Sequence, residues 1–209
     1  MSYALLAHKI EVSGGGYVTR EALRGYCREL GLDYLPAVKY LTHQGYLIRI
    51  LRGIFYARTI EGRKTGKLGI NHLEAIRDAL RLKDVSNWYF GLETATKLNN
   101  LTHEYYTTAT VVSDSIARPR PFDILGHKVR FIKVSPKLFG FGVIGENVPY
   151  SDPEKTLLDT VYLGRYNGLK EPDVRDATAD LLGYCSKEKL IVYAGRYPKT
   201  IRKVVEALI

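Results

Sequence analysis

The sequence predicts an α+β fold with two domains. In the first 60 residues, apolar side chains recur with helical period in two short segments, and two β-prone runs then flank Arg52-Gly53. Three β-branched and aromatic runs follow, separated by turn-rich pieces such as Arg118-Pro119-Arg120-Pro121; the runs are Tyr105–Ser113, Lys128–Val134 and Leu138–Ile144. Helical patterns then continue to the C-terminus. We therefore expect a first domain over residues 1–67 and a mixed α/β domain, with a small sheet and several helices, over residues 68–209.

The first domain is organised around the stretch from Val18 to Arg58. Thr19 is a typical N-cap for the first helical pattern, which Gly31 ends. Asp33 is expected to cap a second helix that ends at Gly45. The β-prone runs Tyr46–Leu51 and Ile54–Arg58 then predict a hairpin with a basic tip. Two helices across a tight turn, followed by such a hairpin, predict a winged helix-turn-helix.

The second helix is predicted to be the recognition helix. Tyr34, Val38 and Leu41 form its expected buried stripe, so the residues facing away are the candidates for contact with bases. These candidates are Leu35, Lys39, Tyr40 and His43. The candidates for contact with phosphates lie on the hairpin and on the polar segment that follows it. They are Arg49, Arg52, Arg58, Arg63, Lys64 and Lys67.

The distribution of charge favours nucleic acid over protein as the partner of this domain. Residues 1–67 hold 11 Lys or Arg against 5 Asp or Glu, whereas the remainder holds 20 against 17. The positive excess therefore lies with the helical motif, as expected of a surface that binds phosphates. The alternative is a protein-contact module in which the same bases are only solvated. The segment Thr59 to Gly69 is expected to be a basic linker, either following the DNA backbone or simply connecting the domains.

Composition excludes several other classes. The chain is 45% hydrophobic and 25% charged, and no apolar run approaches the roughly 20 residues of a membrane span. Its start, MSYALLAHKIEV, predicts a short amphipathic helix and not a signal peptide, so we expect a cytoplasmic protein. The five histidines and two cysteines have no metal-ligand spacing, and no P-loop, dinucleotide fingerprint or nucleophile elbow occurs. We expect no cofactor, no bound metal and no enzymatic activity.

The most distinctive pattern of the second domain is SDPEKTLLD, from Ser151 to Asp159. Ser151 and Glu154 have the spacing of a capping box, which predicts a helix start there. Asp152, Glu154 and Lys155 also have the residue types of a metal-dependent nuclease. In such a site the acidic residues and the lysine usually lie on a strand, whereas Pro153 and the leucines downstream indicate a helix. The nuclease is therefore the weaker alternative.

The order of these motifs resembles the AbiEi antitoxin family of type IV toxin-antitoxin systems. The residues that carry the resemblance are HQGYLIRILRGIFYAR in the first domain, WYFGLETATKLNNL after it, and SDPEKTLLD beyond the strands. The resemblance extends from Thr19 to beyond Asp159, while the late helices match only loosely. The Ser13–Gly16 glycine tract and the tyrosines of the second helix depart from the family pattern, and they leave the operator sequence open.

The resemblance implies a transcriptional repressor that binds operator DNA and regulates its own operon. It also implies a C-terminal domain that counteracts a nucleotidyltransferase-like toxin without forming a stable complex. We expect a monomer or weak dimer that pairs on an inverted repeat. A rival hypothesis is a ligand-sensing regulator, whose second domain binds a small molecule and changes the affinity for DNA. Arg52→Ala should weaken binding to every sequence, whereas Lys39→Ala or Tyr40→Ala should alter sequence preference.

Overall fold

A computed structural model describes residues 3–66 and 68–209 of the chain, which form ten α-helices and two β-sheets. The fold is therefore mixed α and β, in agreement with the predicted α+β class. The chain divides into two compact units, Met1–Ser86 with Ile124–Gly126, and Asn87–Asp123 with His127–Ile209. The main division thus falls after Ser86 and not after residue 67, where the linker was expected. Within the described residues, no helix combines the length and apolarity needed to cross a bilayer.

The first unit begins with three helices and a three-stranded sheet. The helices are α1 (Tyr3–Val12), α2 (Arg20–Glu29) and α3 (Tyr34–His43). The strands are β1 (Gly16–Thr19), β2 (Leu47–Leu51) and β3 (Ile54–Ala57), and their antiparallel order is β1-β3-β2. Helices α4 (Ile60–Thr65) and α5 (His72–Arg81) follow. The hairpin and the first three helices match the sequence-based bounds closely, because their apolar periodicity and capping residues are local signals.

Local contacts explain where these elements begin. Thr19 caps α2, because its hydroxyl accepts a hydrogen bond of 3.2 Å from the amide of Ala22. Asp33 occupies the N-cap position of α3 without a capping bond from its side chain. Strand β1 was not predicted, since it follows directly on a glycine tract. The expected linker is also partly helical: Thr59 caps α4 by accepting a bond of 3.0 Å from the amide of Gly62.

The core of the first unit is shared by its helices and its sheet. Leu23 of α2, Leu41 of α3 and Leu6 of α1 are fully buried against one another and against Leu47 and Phe55 of the hairpin. Burying an aliphatic or aromatic side chain of this size contributes about 1.5–3 kcal/mol. The helices are therefore fixed on the sheet mainly by apolar packing, which leaves their other faces free to carry charge.

The second unit contains a six-stranded sheet in the order β6-β7-β5-β4-β9-β8. Its strands are β4 (Trp88–Phe90), β5 (Thr108–Ser113), β6 (Arg118–Ile124), β7 (His127–Lys133), β8 (Val143–Ile144) and β9 (Tyr150–Ser151). Its helices are α6 (Glu93–Leu98), α7 (Pro153–Tyr166), α8 (Glu171–Leu182), α9 (Lys187–Ala194) and α10 (Lys199–Glu206). Helix α7 is central, because Leu157, Leu158 and Val161 are fully buried in the unit's main apolar core.

Two segments of the second unit differ from expectation. The Arg118-Pro119-Arg120-Pro121 stretch, predicted as a turn, lies in β6 at the edge of the sheet, where proline costs no ladder hydrogen bond. Residues 138–144, predicted as one strand, form a 3₁₀ turn at Pro136–Leu138 and the two-residue strand β8. Gly142 interrupts that segment with φ +61°, and a Cβ there would lie 2.7 Å from Cβ of Lys155. The chain bends here because the backbone must pass close to α7.

Candidate nucleic-acid interface

A basic groove opens on the first unit between α3, the hairpin and the start of α2. It has a volume of about 540 Å³ and no carboxylate in its lining. Four of its residues are basic: Lys39, His43 and Arg49 were predicted to contact DNA, whereas Arg20 was not. The lining consists of Arg20, Tyr34, Leu35, Val38, Lys39, Thr42, His43, Arg49, Gly53 and Phe55. We refer to this surface as the α3 groove.

Helix α3 presents one face to the core and another to the groove. Ala37 and Leu41 are fully buried, and they attach the helix to the remainder of the unit. Leu35, Lys39 and His43 are spaced by four residues and follow one side of the helix into the groove. Leu35 is 76% exposed, although an apolar side chain gains little from such a position. Three of the four residues predicted to contact bases therefore share one surface.

Tyr40 lies on a different side of α3. Its ring stacks on that of Tyr3 in α1, with centroids 4.8 Å apart and an angle of 30° between the planes. Because consecutive helical residues diverge by about 100°, Lys39 faces the groove while Tyr40 packs against a neighbouring helix. Tyr40 is absent from the groove lining and is 36% exposed. This contact assigns it to the packing of α1 on α3.

Arg20 and Arg49 face the groove from the elements beside α3. Arg20 is the first residue of α2, and its amide donates a 2.7 Å hydrogen bond to the carbonyl of Gly53. Gly53 has φ +84° in the hairpin turn, and a Cβ there would lie 3.6 Å from Cβ and Nε of Arg20. Arg49 lies in β2 opposite Phe55. The hairpin turn thus holds Arg20 beside the groove, and β2 carries Arg49 on the same surface as Lys39.

Arg20 and Thr42 belong to the groove but were not among the predicted contacts. A weak signal for Arg20 exists in the sequence. Cations are disfavoured at a helix N-terminus by the helix dipole, so an arginine directly after the N-cap Thr19 suggests a role other than helix stability. Thr42 gives no such signal, because a threonine near the end of a helix is ordinary.

The remaining predicted phosphate contacts lie outside the groove lining. Arg52 is exposed at the hairpin tip, where its carbonyl accepts a 3.2 Å hydrogen bond from Nζ of Lys83. Arg58 donates a 3.4 Å bond to the carbonyl of Gly66. The Arg63 guanidinium lies 4.0 Å from the ring centroid of Tyr46, as a cation-π contact.

Arg58 and Arg63 therefore share a different location, a small cavity of about 100 Å³ beside α1 and the glycine tract. Lys64 is exposed on α4, and Lys67 lies outside the described residues. The predicted set is thus divided: one group lines the α3 groove, one arginine sits at the hairpin tip, and a third group lies at the end of β3 and on α4.

The SDPEKTLLD segment of the second unit forms a buried polar cluster. Lys155 is fully buried, and its Nζ donates a 2.8 Å hydrogen bond to the carbonyl of Leu138. The same Nζ lies 3.5 Å from Oδ1 of Asp159. It also lies 4.7 Å from the ring centroid of Tyr89 and 4.5 Å from that of Phe141. Burial lowers the pKa of Lys155, while the charge of Asp159 acts to raise it.

Asp159 is held from two more sides. Tyr89 donates a 2.8 Å hydrogen bond to its Oδ2, and Tyr197 donates a 2.6 Å bond to its Oδ1. Burial, together with the nearby carboxylate, raises the pKa of both phenols well above the ordinary value. The polar groups thus satisfy one another inside the apolar core. A lysine enclosed in this way is inaccessible to a substrate, which argues against the nuclease hypothesis.

The capping-box prediction for this segment is wrong. Asp152 is the N-cap of α7, and its Oδ1 accepts a 2.8 Å bond from the amide of Lys155. The Ser151 hydroxyl instead lies 2.7 Å from that of Thr156, and Glu154 accepts a 2.9 Å bond from the amide of Ser186. Burial raises the pKa of Asp152, because few solvent contacts remain to stabilise its charge. Glu154 therefore links α7 to the start of α9 and takes no part in capping.

Taken together, these features define an α+β protein with a basic groove on its first unit and a buried ionic cluster in its second. Comparison with known proteins adds a structural likeness. No protein family matches the sequence, and no characterised protein matches it either. Among solved structures, the chain is similar to the RV2827C protein from Mycobacterium tuberculosis, with a TM-score of 0.60 and 15% sequence identity. The match covers 99% of this chain and 75% of that one, and it shows a shared fold.

Proposed function

We propose that this protein is a sequence-specific DNA-binding transcriptional repressor. The observation that carries the proposal is the α3 groove, where Arg20, Lys39 and Arg49 converge beside an exposed helix face without an acidic residue in the lining. A helix that presents a basic, partly exposed face has the dimensions to enter the major groove of DNA. Arg20 of α2 and Arg49 of β2, on either side of that face, are suited to contact the phosphates that flank such a groove.

The order of elements also supports a winged helix-turn-helix. Helices α1, α2 and α3 precede the β2–β3 hairpin, and β1 joins β3 to complete a three-stranded sheet. On this proposal α3 is the recognition helix and the hairpin is the wing. Leu35, Lys39 and His43 would face base edges, while Arg20 and Arg49 would contact phosphates. Arg52, at the exposed tip, would contact the backbone farther along the duplex.

The repressor is further proposed to be an antitoxin of the AbiEi type, as the sequence resemblance implies. Its second unit would counteract a nucleotidyltransferase-like toxin in the cytoplasm without a stable complex between the two proteins. Co-expression with the product of a neighbouring nucleotidyltransferase gene tests this step. The second unit alone and the full chain should both restore growth, whereas the first unit alone should not. Failure of both forms to restore growth would overturn the antitoxin proposal and leave the repressor proposal intact.

DNA binding is tested by titrating the full chain against the duplex upstream of its own gene and against a scrambled duplex of equal length. Lys39→Ala should reduce the preference between the two duplexes, because a base contact is worth about 1–3 kcal/mol of discrimination. Arg49→Ala should weaken binding to both and reduce the salt slope by about 0.9. Lys128→Ala is the matched control, since this exposed lysine lies on β7 in the other unit.

The assignment of the α3 groove would be refuted if Lys39→Ala and Lys128→Ala bound the operator with equal affinity and preferred it equally over the scrambled duplex.

Binding as a pair on an inverted repeat is tested by the stoichiometry of the complex. A monomer or weak dimer in solution should give two chains per operator, and a single chain per operator would contradict this part of the proposal.

A further inference from the structure

Leu35 differs from the other apolar residues of the α3 groove in its exposure. Among the described residues of the lining, Phe55 is buried and Tyr34 and Val38 are half-buried, whereas the Leu35 side chain is 76% exposed. Other exposed leucines in the described part of the chain are 41% to 49% exposed; they are Leu5, Leu82 and Leu169. Packing within the first unit therefore does not account for a leucine at this position.

The position of Leu35 on α3 is suited to contact with bases. Leu35 is the second residue of the helix. In helix-turn-helix proteins, the N-terminal residues of the recognition helix contact base edges. Lys39 follows one turn later, about 6 Å along the helix axis, which corresponds to roughly two base-pair steps. The two side chains are therefore spaced to meet neighbouring base pairs.

The cations around Leu35 have no acidic partners within the described chain. Arg20, Lys39 and Arg49 line the same groove, and no carboxylate belongs to its described lining. None of the three forms an ion pair with a described residue. A partner that covers Leu35 must therefore offer an apolar group that is flanked by negative charge.

Duplex DNA offers this combination in its major groove. The groove is about 12 Å wide and admits an α-helix. Most of the groups that the bases present there are hydrogen-bond donors and acceptors, but thymine also presents a C5-methyl group. Phosphates follow the groove on both sides, so the methyl group lies between two rows of negative charge. An apolar side chain flanked by cations is complementary to this arrangement.

We propose that Leu35 recognises thymine by packing against its C5-methyl group. This inference rests on the proposed DNA-binding function, and it adds the chemical group that the start of α3 selects. Covering one methyl group contributes about fourfold to the affinity. Leu35 thus determines sequence preference at one position of each half-site, and it leaves the salt dependence to the surrounding cations.

The test uses operator duplexes in which one thymine at a time is replaced by deoxyuridine, which lacks only the C5-methyl group. The affinity of the full chain for each duplex is measured by fluorescence anisotropy. We expect one position in each half-site at which the replacement weakens binding about fourfold. In Leu35→Ala the same replacement should have no effect, because the side chain that packs on the methyl group is removed.

Leu5→Ala is the matched control, since it removes another exposed leucine of the first unit. It should keep the fourfold difference of the wild type. Both variants should fold normally because these side chains are exposed, and circular dichroism verifies this. A difference that persists in Leu35→Ala would mean that the methyl group acts through DNA shape or through another residue, and it would overturn the assignment of Leu35.

The same titrations separate this inference from the function on which it rests. The thymine contact is refuted, and the repressor proposal stands, if the wild type prefers its operator over a scrambled duplex but no deoxyuridine weakens binding by more than about twofold. Equal binding of the wild type to the operator and the scrambled duplex would overturn both proposals together.

Discussion

Replacing Lys155 by methionine is expected to destabilise the second unit strongly. Methionine keeps most of the side-chain volume but removes the ammonium, so the carbonyl of Leu138 loses its donor and Asp159 loses its counter-charge. Removing one member of a buried ion pair typically costs about 3–5 kcal/mol. Asp159 retains two hydrogen bonds, of 2.8 Å from Tyr89 and 2.6 Å from Tyr197. These bonds offset part of the loss and place the expected cost near the lower limit, at about 3 kcal/mol.

The cost should fall when the carboxylate is neutralised as well. In the Lys155→Met, Asp159→Asn double variant no unpaired charge remains in the core, so its free energy of unfolding should be at least about 1 kcal/mol higher than additivity predicts. Urea unfolding of the wild type, both single variants and the double variant, followed by circular dichroism, gives the coupling energy. A cost below about 1 kcal/mol for Lys155→Met, or additive single effects, would show that the pair is not electrostatically coupled.

Three more predictions concern the first unit. Burial acts to raise the pKa of Asp78, but hydrogen bonding and charge from Arg77 outweigh it and hold the pKa below 3.8. The stabilisation from this pair is therefore fully present above pH 3.8, and it is lost as the pH falls through the pKa that Asp78 has in the folded state. Urea unfolding between about pH 5 and 2 should therefore show a smaller loss of unfolding free energy in Arg77→Gln than in the wild type. A larger loss in the variant would reverse the assigned sign. Gly53→Ala forces alanine into φ +84° and should cost about 1 kcal/mol, measured by the same unfolding assay; no measurable cost would mean that the turn adapts. Tyr40→Ala should lower the melting temperature, because the ring contact with Tyr3 is lost. The ratio of affinities for the operator and the scrambled duplex should stay unchanged. A changed ratio would show that Tyr40 contacts bases after all.

The sequence predicted the hairpin and the first three helices of the first unit well because their signals are local. The hairpin around Arg52-Gly53 and the cap at Thr19 depend on neighbouring residues only, and both are observed. The face of α3 that α1 covers was not predictable in this way. Tyr3 and Tyr40 are far apart in sequence, and a helical wheel cannot show which exposed flank another helix will cover.

The environment of Lys155 shows the same limit more sharply. A lysine between glutamate and threonine in a helical pattern is expected at the surface, yet here it is fully buried. The burial results from rings that three other segments bring around it, those of Tyr89, Phe141 and Tyr197. Such a site is a property of tertiary packing, so the residue types of SDPEKTLLD suggested catalysis where the fold uses Lys155 and Asp159 for internal stability.

The α3 groove was predictable in part. The spacing of Leu35, Lys39 and His43 follows from helical geometry, and the structure brings these three residues together. Arg20 joins them only because the carbonyl of Gly53 fixes the start of α2 against the hairpin turn. Arg58 and Arg63, although basic and near in sequence, are directed to a separate cavity beside α1.

We propose that the α3 groove recognises a particular DNA sequence. The most direct test of this proposal is the affinity of the full chain for the duplex upstream of its gene, measured across a range of salt concentrations beside a scrambled duplex of equal length. We predict a preference of at least about a thousandfold, which falls in Lys39→Ala while Lys128→Ala retains it. Equal and steeply salt-dependent binding to both duplexes would contradict the account, because it would reduce the groove to a general polyanion-binding surface.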